Sequence, residues 1–249
     1  MNRFSKKFVD KFNHAAKNSS RANLFDDFLK ISVAVLQRDE TAYSEIADKD
    51  LHCELFGLLA AALDDCISQK TLQDNVLGLK LKIPTDSSHK PRYRDELGEI
   101  FRTLELFDQS GGQVFTPQHV ADIMGETTLT AELIHRELDT KGYVPIIENC
   151  CGSGALILGG LNALLKLGVN PNHFAIVFAG DTDIRCVQMT FIQLSLYMIP
   201  GVVVQRNAVT NESFGGKFVT PILQRRINYE DVSNLHRLRR SPLDLRQGS

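Results

Sequence analysis

The stretch Val144–Leu156, VPIIENCCGSGAL, contains the features that decide the fold. Its first residues, Val144–Ile147, are a short apolar run, and a strand of a parallel sheet need not alternate because both of its faces are covered. The turn Gly152–Gly154 follows, and a helix is predicted from about Ala155. Glycines let the backbone turn sharply and approach a ligand, while the free N–H groups of a helix start favour an anion. The stretch predicts a nucleotide-type site, with a ligand-free tight turn as the alternative.

Two further apolar runs follow, and a helical pattern lies between them. The first run is Phe174–Phe178, the helical pattern is Ile184–Met198, and the second run is Val202–Val204. Alternation of strands and helices predicts a parallel sheet covered by helices, and three such units in this order make half of a Rossmann-like sheet. The predicted fold class is therefore α/β. After Asn211 the strand signals fade, and no fourth apolar strand is expected.

The first 82 residues carry apolar side chains at helical spacing and almost no strand signals. Ser20 is placed to cap the second helix, and the third helical run ends near Asp65. Loop composition between Ile83 and Arg94 suggests a domain junction. Further helices are expected over Glu96–Phe107 and after Thr116-Pro117, where Pro suits a first helical turn. The predicted division is a helical N-terminal domain (1–84), a linker (85–93), a Rossmann-like domain (94–215) and a basic C-terminal tail (216–249).

Composition sets limits on partners and location. With 249 residues and 43% apolar content the chain can bury one or two cores, and its formal charge of −2 predicts no global attraction to nucleic acid. Residues 217–249 hold seven Lys or Arg against three acids, which makes them the best local candidate for contact with DNA phosphates; a merely solvated tail is the alternative. No membrane span or signal peptide is expected, so a cytoplasmic location is predicted.

The five cysteines have no metal-site spacing, so no metal site is predicted. Cys150 and Cys151 are adjacent, and a normal disulfide between neighbours is strained. We expect both to be buried thiols beside the turn.

The ends of the three predicted strands should meet, because parallel strands present their carboxyl ends at one edge. They bring Glu148 with the glycine turn, Asp181 or Asp183, and Asn207. A carboxylate there can accept both hydroxyls of a ribose, and an amide can pair with an adenine edge, which indicates an adenosine-bearing cofactor. The dinucleotide fingerprint and the P-loop are not matched, and no G-x-S-x-G elbow surrounds Ser153, so NAD, ATP and hydrolase chemistry are not favoured.

Two motifs resemble those of a known family. GQVFTPQHVADIMGE, residues 112–126, resembles G-Q-x-[FY]-T-P-x-x-[VI], and ENCCGSGAL, residues 148–156, resembles D-P-x-C-G-S-G. Both belong to the adenine-N6 DNA methyltransferases that serve as modification subunits of type I restriction systems. The order, the spacing and a preceding LGEIF helix also match, and the resemblance covers about residues 92–211.

The resemblance implies a class of S-adenosylmethionine-dependent methyltransferases and a set of cofactor contacts. Thr116 would bind the methionine carboxylate, Glu148 would face the amino group, and the glycine turn would pass beneath. Asp181, preferred over Asp183 by the family's alignment, would hold the ribose. The implied cofactor-binding residues are Thr116, Pro117, Glu148, Asn149, Gly152, Ser153, Gly154, Asp181, Ile184 (adenine face) and Asn207 (adenine edge). Glu148, Asn149 and Asn207 replace the family's Asp, Pro and Asp.

The family's catalytic signature, Asn/Asp-Pro-Pro-Tyr/Phe, has no counterpart, since no two prolines are adjacent in this chain. Asn211 followed by Phe214 is its nearest imitation, and no catalytic residue is assigned. Three hypotheses remain: a cofactor-binding homologue without its own catalytic loop; an active DNA adenine methyltransferase with an unrecognised or partner-supplied loop; and a non-catalytic protein that acts on restriction-modification subunits. DNA, such subunits or a second copy are the expected partners.

Overall fold

The sheet has the strand order β1-β2-β3-β4 in the computed structural model, which describes residues 1–18, 20–67, 93–106 and 115–229. Strands β1, β2 and β3 are parallel, and β4 runs antiparallel to β3. The strands are β1 (Val144–Glu148), β2 (Ala175–Asp181), β3 (Gly201–Arg206) and β4 (Ser213–Val219). Helices connect the parallel strands, and further helices precede the sheet, so the predicted Rossmann-like α/β fold with a helical N-terminal region is confirmed.

The described residues form eleven α-helices, and none of these helices is both long and apolar enough to cross a membrane. The helices are α1 (Arg3–Ala15), α2 (Arg21–Gln37), α3 (Glu40–Ser44), α4 (Lys49–Ile67), α5 (Glu96–Thr103), α6 (Gln118–Thr128), α7 (Ala131–Lys141), α8 (Ala155–Lys166), α9 (Pro171–Phe174), α10 (Ile184–Leu196) and α11 (Pro221–Tyr229).

Helices α8 and α10 cover the same face of the sheet. Ile146 of β1 faces α8, because a Cβ on Gly160 would lie 3.7 Å from its Cδ1 atom. Ile146 is in register with Val177, and Val177 with Gly201, so all three share that face. A Cβ on Gly201 would in turn lie 3.5 Å from Leu194 of α10. Side chains alternate between the two faces along a strand, so residues of the other parity (the alternate positions), such as the 44% exposed Ile147, belong to the opposite face.

The N-terminal helices share one hydrophobic core with the sheet. Asn2 caps α1 by accepting from the N–H groups of Phe4 and Ser5, and Ser20 caps α2 as predicted. The ring of Phe25 in α2 lies 5.3 Å from the ring of Phe101 in α5. Domain boundaries at residues 84 and 94 remain a prediction, because residues 85–92 of the predicted linker lie outside the described residues.

Strand β4 departs from the expectation that strand signals end after Asn211. Its sequence, SFGGKFV, contains two glycines and is mostly exposed, so it lacks the apolar run that marks a buried strand. Pairing with β3 places Phe218 opposite Val203 and against Phe191 of α10, with ring centroids 5.3 Å apart. The residues 216–229 of the predicted tail therefore form part of β4 and helix α11; residues 230–249 lie outside the described residues.

Helices α6 and α8 cross at glycines. A Cβ on Gly159 would lie 2.2 Å from the carbonyl oxygen of Ala121, and one on Gly125 would lie 2.4 Å from that of Gly159. Glycine is unfavourable inside a helix by about 1 kcal/mol relative to alanine. Here it allows the backbones of α6 and α8 to come into direct contact.

Gly159→Ala should lower the free energy of unfolding by about 1–3 kcal/mol, because the new methyl group meets backbone that cannot rotate away. The matched control is Gly57→Ala in α4, where no atom of the described residues lies within 4 Å of the added Cβ. That control should be neutral or raise stability by up to about 1 kcal/mol. Urea unfolding monitored by circular dichroism measures both, and equal effects would refute the close contact.

Candidate functional site

The glycine turn lies between β1 and α8 and has two left-handed residues. Gly152 has φ of 52° and Gly154 has φ of 102°, a region that residues with a side chain rarely adopt. Gly154 is the N-cap of α8 and its N–H group donates to the carbonyl oxygen of Cys151 at 2.8 Å. A Cβ on Gly154 would also lie 3.2 Å from Oγ1 of Thr190. The turn therefore requires both glycines, as the sequence analysis expected.

A buried carboxylate, Asp95, supports the turn from inside. Its Oδ2 atom accepts from the Ser153 hydroxyl at 2.5 Å, and its Oδ1 atom accepts from Nε2 of Gln193 at 2.9 Å and from the N–H group of Gly98 at 2.9 Å. Gln193 also donates to the carbonyl oxygen of Ser153. Ser153 is 0% exposed, so its side chain supports the turn and does not present itself to a ligand.

Asp181, the last residue of β2, closes the turn from the outer side. Its Oδ2 atom accepts from the N–H group of Gly152 at 2.9 Å, and its Oδ1 atom accepts from that of Asp183 at 3.0 Å. A carboxylate offers about four acceptor positions, so two remain after these bonds. The carboxylate is half-buried and fixed before any ligand arrives.

The two acids that follow β2 have different surroundings. Asp183 is the N-cap of α10, where it accepts from the N–H group of Arg185 at 2.9 Å, and it forms an ion pair with the Arg185 guanidinium at 3.1 Å. Asp181 instead bonds the glycine turn. Asp183 is therefore a helix cap, whereas Asp181 faces the glycine turn.

The second sequence motif is also adjacent to the turn. A Cβ on Gly152 would lie 3.7 Å from the ring of Phe115, which packs on Phe101 at 5.4 Å between centroids. Thr116 is half-buried, and Pro117 is the N-cap of α6, one residue before the first helical turn in which it was expected. Residues 112–114 of the motif lie outside the described residues.

Glu148 and Asn149, which follow each other at the end of β1, serve different faces. Glu148 shares the parity of Ile146 and so lies on the α8 face, where its Oε1 atom accepts from the N–H group of Cys150 at 3.0 Å. The Asn149 side chain accepts a hydrogen bond from Arg206, the last residue of β3. Glu148 thus lies on the side of Asp181, whereas Asn149 bonds across the edge of the sheet.

The residues expected around an adenine are engaged by the β3–β4 hairpin. The Oδ1 atom of Asn207 accepts from the N–H groups of Val209 at 2.8 Å and Thr210 at 3.2 Å, so this oxygen stabilises the hairpin loop. Ile184 is half-buried beneath β4, since a Cβ on Gly216 would lie 3.0 Å from its Cδ1 atom. Both positions remain predictions for cofactor contact, while in the structure Asn207 stabilises the hairpin loop and Ile184 packs beneath β4.

A cleft of about 570 Å³ lies between α5 and the start of α6. It contains Pro117 of the predicted residues, whereas the glycine turn and Asp181 do not line it. Its lining residues carry both charges and are Arg94, Glu99, Arg102, Thr103, Pro117, Gln118, His119 and Asp122. Burial raises the pKa of the Glu99 carboxyl group. The N-terminal ammonium group lies 2.8 Å away, and its hydrogen bond and charge help to outweigh burial, so that the pKa is lowered.

Several supporting residues were missed by the sequence analysis. Asp95 could have been predicted from the sequence, because Asp is a common N-cap and this one directly precedes the helix that begins at Glu96. Gln193, Thr190 and Arg206 had none, because their partners are distant in the chain: Thr190, for example, donates to the carbonyl oxygen of Gly152 at 2.8 Å.

The cysteine pair differs from the expectation of two buried thiols. Cys151 is buried, whereas Cys150 is exposed. Burial raises the pKa of the Cys151 thiol to about 12, and the nearby carboxylates of Asp181 and Glu148 act in the same direction. Burial likewise raises the pKa of Cys186. The expectation was therefore right for Cys151 and wrong for Cys150.

Comparisons with known proteins give no family. No protein-family model matches the chain, and curated proteins contain no significant match. Among solved structures, the chain is similar to a Listeria monocytogenes protein described as a class I S-adenosylmethionine-dependent methyltransferase, with a TM-score of 0.43 and 12% identity over 82% of this chain and 53% of that chain. It is also similar to a type I restriction-modification methyltransferase subunit from Streptococcus thermophilus, with a TM-score of 0.35 and 16% identity over 85% and 40%. The chain thus spans about half or less of their lengths, and similarity at this level bears on neither substrate nor mechanism.

Cys150 should react with iodoacetamide in the folded protein at about pH 8, whereas Cys151 should react only after unfolding. The reason is exposure together with the raised pKa of Cys151, which keeps that thiol protonated and out of reach. Peptide mass spectrometry of the alkylated protein measures both sites, and the exposed Cys53 is the internal control. Equal alkylation of the adjacent pair would contradict this arrangement.

Proposed function

We propose that the protein binds S-adenosylmethionine and is a homologue of adenine-N6 DNA methyltransferases without a catalytic loop of its own. The observation that carries the proposal is the bond between the Asp181 carboxylate and the N–H group of Gly152, at 2.9 Å. It joins the acid at the end of β2 to the glycine turn after β1. Both belong to the edge where ligands bind in sheets of this kind.

The chemistry of these groups suits the proposed cofactor. Two acceptor positions of Asp181 suffice for the two hydroxyls of a ribose, and charge-assisted bonds of this kind are the strong ones. Glycines at 152 and 154 allow the methionine part to approach the backbone. Glu148 on the same face favours a positively charged amino or sulfonium group. Thr116 would take the methionine carboxylate, as the resemblance implies.

The catalytic part of the proposal rests on the β3–β4 hairpin. In the family that this chain resembles, an Asn side chain holds the target amine. Here the nearest imitation, Asn211, has a left-handed backbone with φ of 61°, and its Oδ1 atom accepts from Arg206 at 3.2 Å. Phe214 is 54% exposed and could meet a base. An amide oxygen already held by a guanidinium is poorly placed to polarise an adenine amine.

DNA is the proposed partner of the cofactor-bound protein. The exposed Lys217 and Arg225 are basic residues of the C-terminal region that the structure describes, whereas Arg226 is bonded to the backbone of Asn172 and His173. Such contacts to phosphates would be insensitive to sequence and weakened by salt.

A non-catalytic interaction protein is the second candidate function. The observation that favours it is an apolar stripe on α6, where Val120, Ile123 and Met124 are 37%, 61% and 47% exposed. Residues at this spacing form one helix face. A partner of the restriction-modification type or a second copy would be the expected occupant, and failure to bind the cofactor would favour this function over the first.

Asp181→Ala should weaken S-adenosylmethionine binding about tenfold or more, because it removes the acceptor of charge-assisted bonds to the ribose. The matched control is Asp139→Ala on α7, where an exposed carboxylate is removed away from the turn. Isothermal titration calorimetry with the cofactor and its demethylated product measures both variants. No binding to the unmodified chain at millimolar cofactor would refute the proposal.

The isolated chain should not methylate adenine in DNA even when the cofactor is bound. Transfer to an exocyclic amine needs a flipped base with its nitrogen aligned to the methyl group, and a cofactor pocket alone supplies half of this geometry. The measurement is incubation with tritiated cofactor and DNA of mixed sequence. Incorporation above a boiled control that disappears in Asn211→Ala would establish the active-enzyme alternative.

A further inference from the structure

Arg206, the last residue of β3, is a buried charged group at the end of the sheet. It is 8% exposed, and no described residue accepts a hydrogen bond from its buried Nε atom. Its side chain lies across β2, because a Cβ on Gly180 would be 2.9 Å from Nε and 3.0 Å from Cγ. Gly180 therefore provides the space through which the arginine reaches the end of β1.

Among the described residues, the guanidinium bonds only neutral side chains. Nη1 donates to Oδ1 of Asn211 at 3.2 Å, and Nη2 donates to Oδ1 of Asn149. None of the ion pairs between described residues includes Arg206. Glu212, the nearest acid along the chain, instead accepts from the hydroxyl of Thr210. Burying a cation without an opposite charge beside it costs free energy, and the amide dipoles of the two asparagines offset only part of that cost.

The two asparagines add donors around this charge. A guanidinium cannot accept a hydrogen bond, so each amide must turn its oxygen towards Arg206 and its NH2 group away from it. Both asparagines are exposed, and their NH2 groups can reach a molecule that approaches the edge of the sheet. Lys217 of β4 is in register with Val204, so it shares the face of Arg206 and adds positive charge.

We propose that Arg206, Asn149 and Asn211 form a binding site for a phosphate group. A planar guanidinium fork matches phosphate oxygens, and each Nη atom of Arg206 uses one of its two N–H groups for an asparagine. Two Nη N–H groups therefore remain for phosphate, whereas the Nε atom is buried. Tetrahedral phosphate can accept from the guanidinium and from both amides together, which a planar carboxylate does less well.

This phosphate site lies on a different face of the sheet from the proposed cofactor site, although Asn149 also belongs to the cofactor contacts that the resemblance implies. Arg206 has the parity of Val204 and Gly180, which face away from α8 and α10, whereas Asp181 and Glu148 lie on the helix-covered face. The phosphate group can come from an oligonucleotide or from a small phosphate compound. Its binding requires no cofactor, so the two proposals can fail independently.

The test uses the full chain labelled with 15N-arginine and a titration with inorganic phosphate. The Nε–H signal of Arg206 is the one absent from the spectrum of Arg206→Lys. We expect that signal to shift saturably with phosphate, and not with sodium chloride of matched ionic strength. The signal of the exposed Arg38, identified in the same way, should remain unchanged. No saturable shift at phosphate concentrations well above millimolar would overturn the proposal.

Two variants and a control separate binding from support of the fold. Arg206→Lys keeps the charge but loses the fork, so phosphate affinity measured by calorimetry should fall about tenfold or more. Asn211→Asp supplies an internal carboxylate for the guanidinium; it should abolish phosphate binding while the melting temperature is unchanged or higher. Arg38→Lys should change affinity less than about twofold. Unchanged binding in Asn211→Asp would refute the site.

A single-stranded oligonucleotide without terminal phosphates identifies the source of the group. If it shifts the Arg206 signal, the ligand is a nucleic-acid phosphodiester; if only inorganic phosphate does so, the ligand is a small phosphate compound. Both results support a phosphate site, whereas the absence of both refutes it. Cofactor calorimetry on the same sample reports on Asp181 separately.

Discussion

The arrangement of the candidate site depends on one buried carboxylate, that of Asp95. Its two oxygens accept from three parts of the chain: the hydroxyl of Ser153 in the glycine turn, the amide of Gln193 in α10, and the N–H group of Gly98 in α5. Loss of this acceptor would leave buried donors unsatisfied, at about 1–3 kcal/mol for each. Gly98 is part of the same constraint, because a Cβ there would lie 2.2 Å from the Asp95 carboxylate. The turn, α5 and α10 are therefore fixed together.

The N-terminal helices contribute to the same site through packed aromatic rings. Phe8 of α1 packs on Phe28 at 5.0 Å, and Phe28 on Phe25 at 5.8 Å. Phe25 packs on Phe101, and Phe101 on Phe115, which borders Gly152. Buried aromatic pairs of this kind contribute beyond their area and constrain orientation. The helical region thus does more than precede the sheet, because its core continues to the glycine turn.

Local patterns were sufficient for the first three strands and for the turn. Val144–Ile147 and the runs after it are apolar on both faces, and the positive φ angles at Gly152 and Gly154 follow from a sharp strand-to-helix connection. Strand β4 was not predictable in this way, since SFGGKFV gains its pairing from β3 and has little apolar character of its own. The β3–β4 hairpin also determines the role of the Asn207 side-chain oxygen, which accepts from two backbone N–H groups of the hairpin loop. No sequence pattern predicted these two hydrogen bonds.

The edge of the sheet has opposite charge on its two faces, and this separation gives the two proposals a common physical basis. Glu148 and Asp181 lie on the face covered by α8 and α10, whereas Arg206 and Lys217 lie on the other face. A ligand with a sulfonium and two ribose hydroxyls is complementary to the acidic face, and phosphate is complementary to the basic one. Gly180 has no side chain, so the side chain of Arg206 can lie across β2. This one glycine, next to Asp181 in β2, therefore allows the basic surface to form on the face opposite to the acidic one.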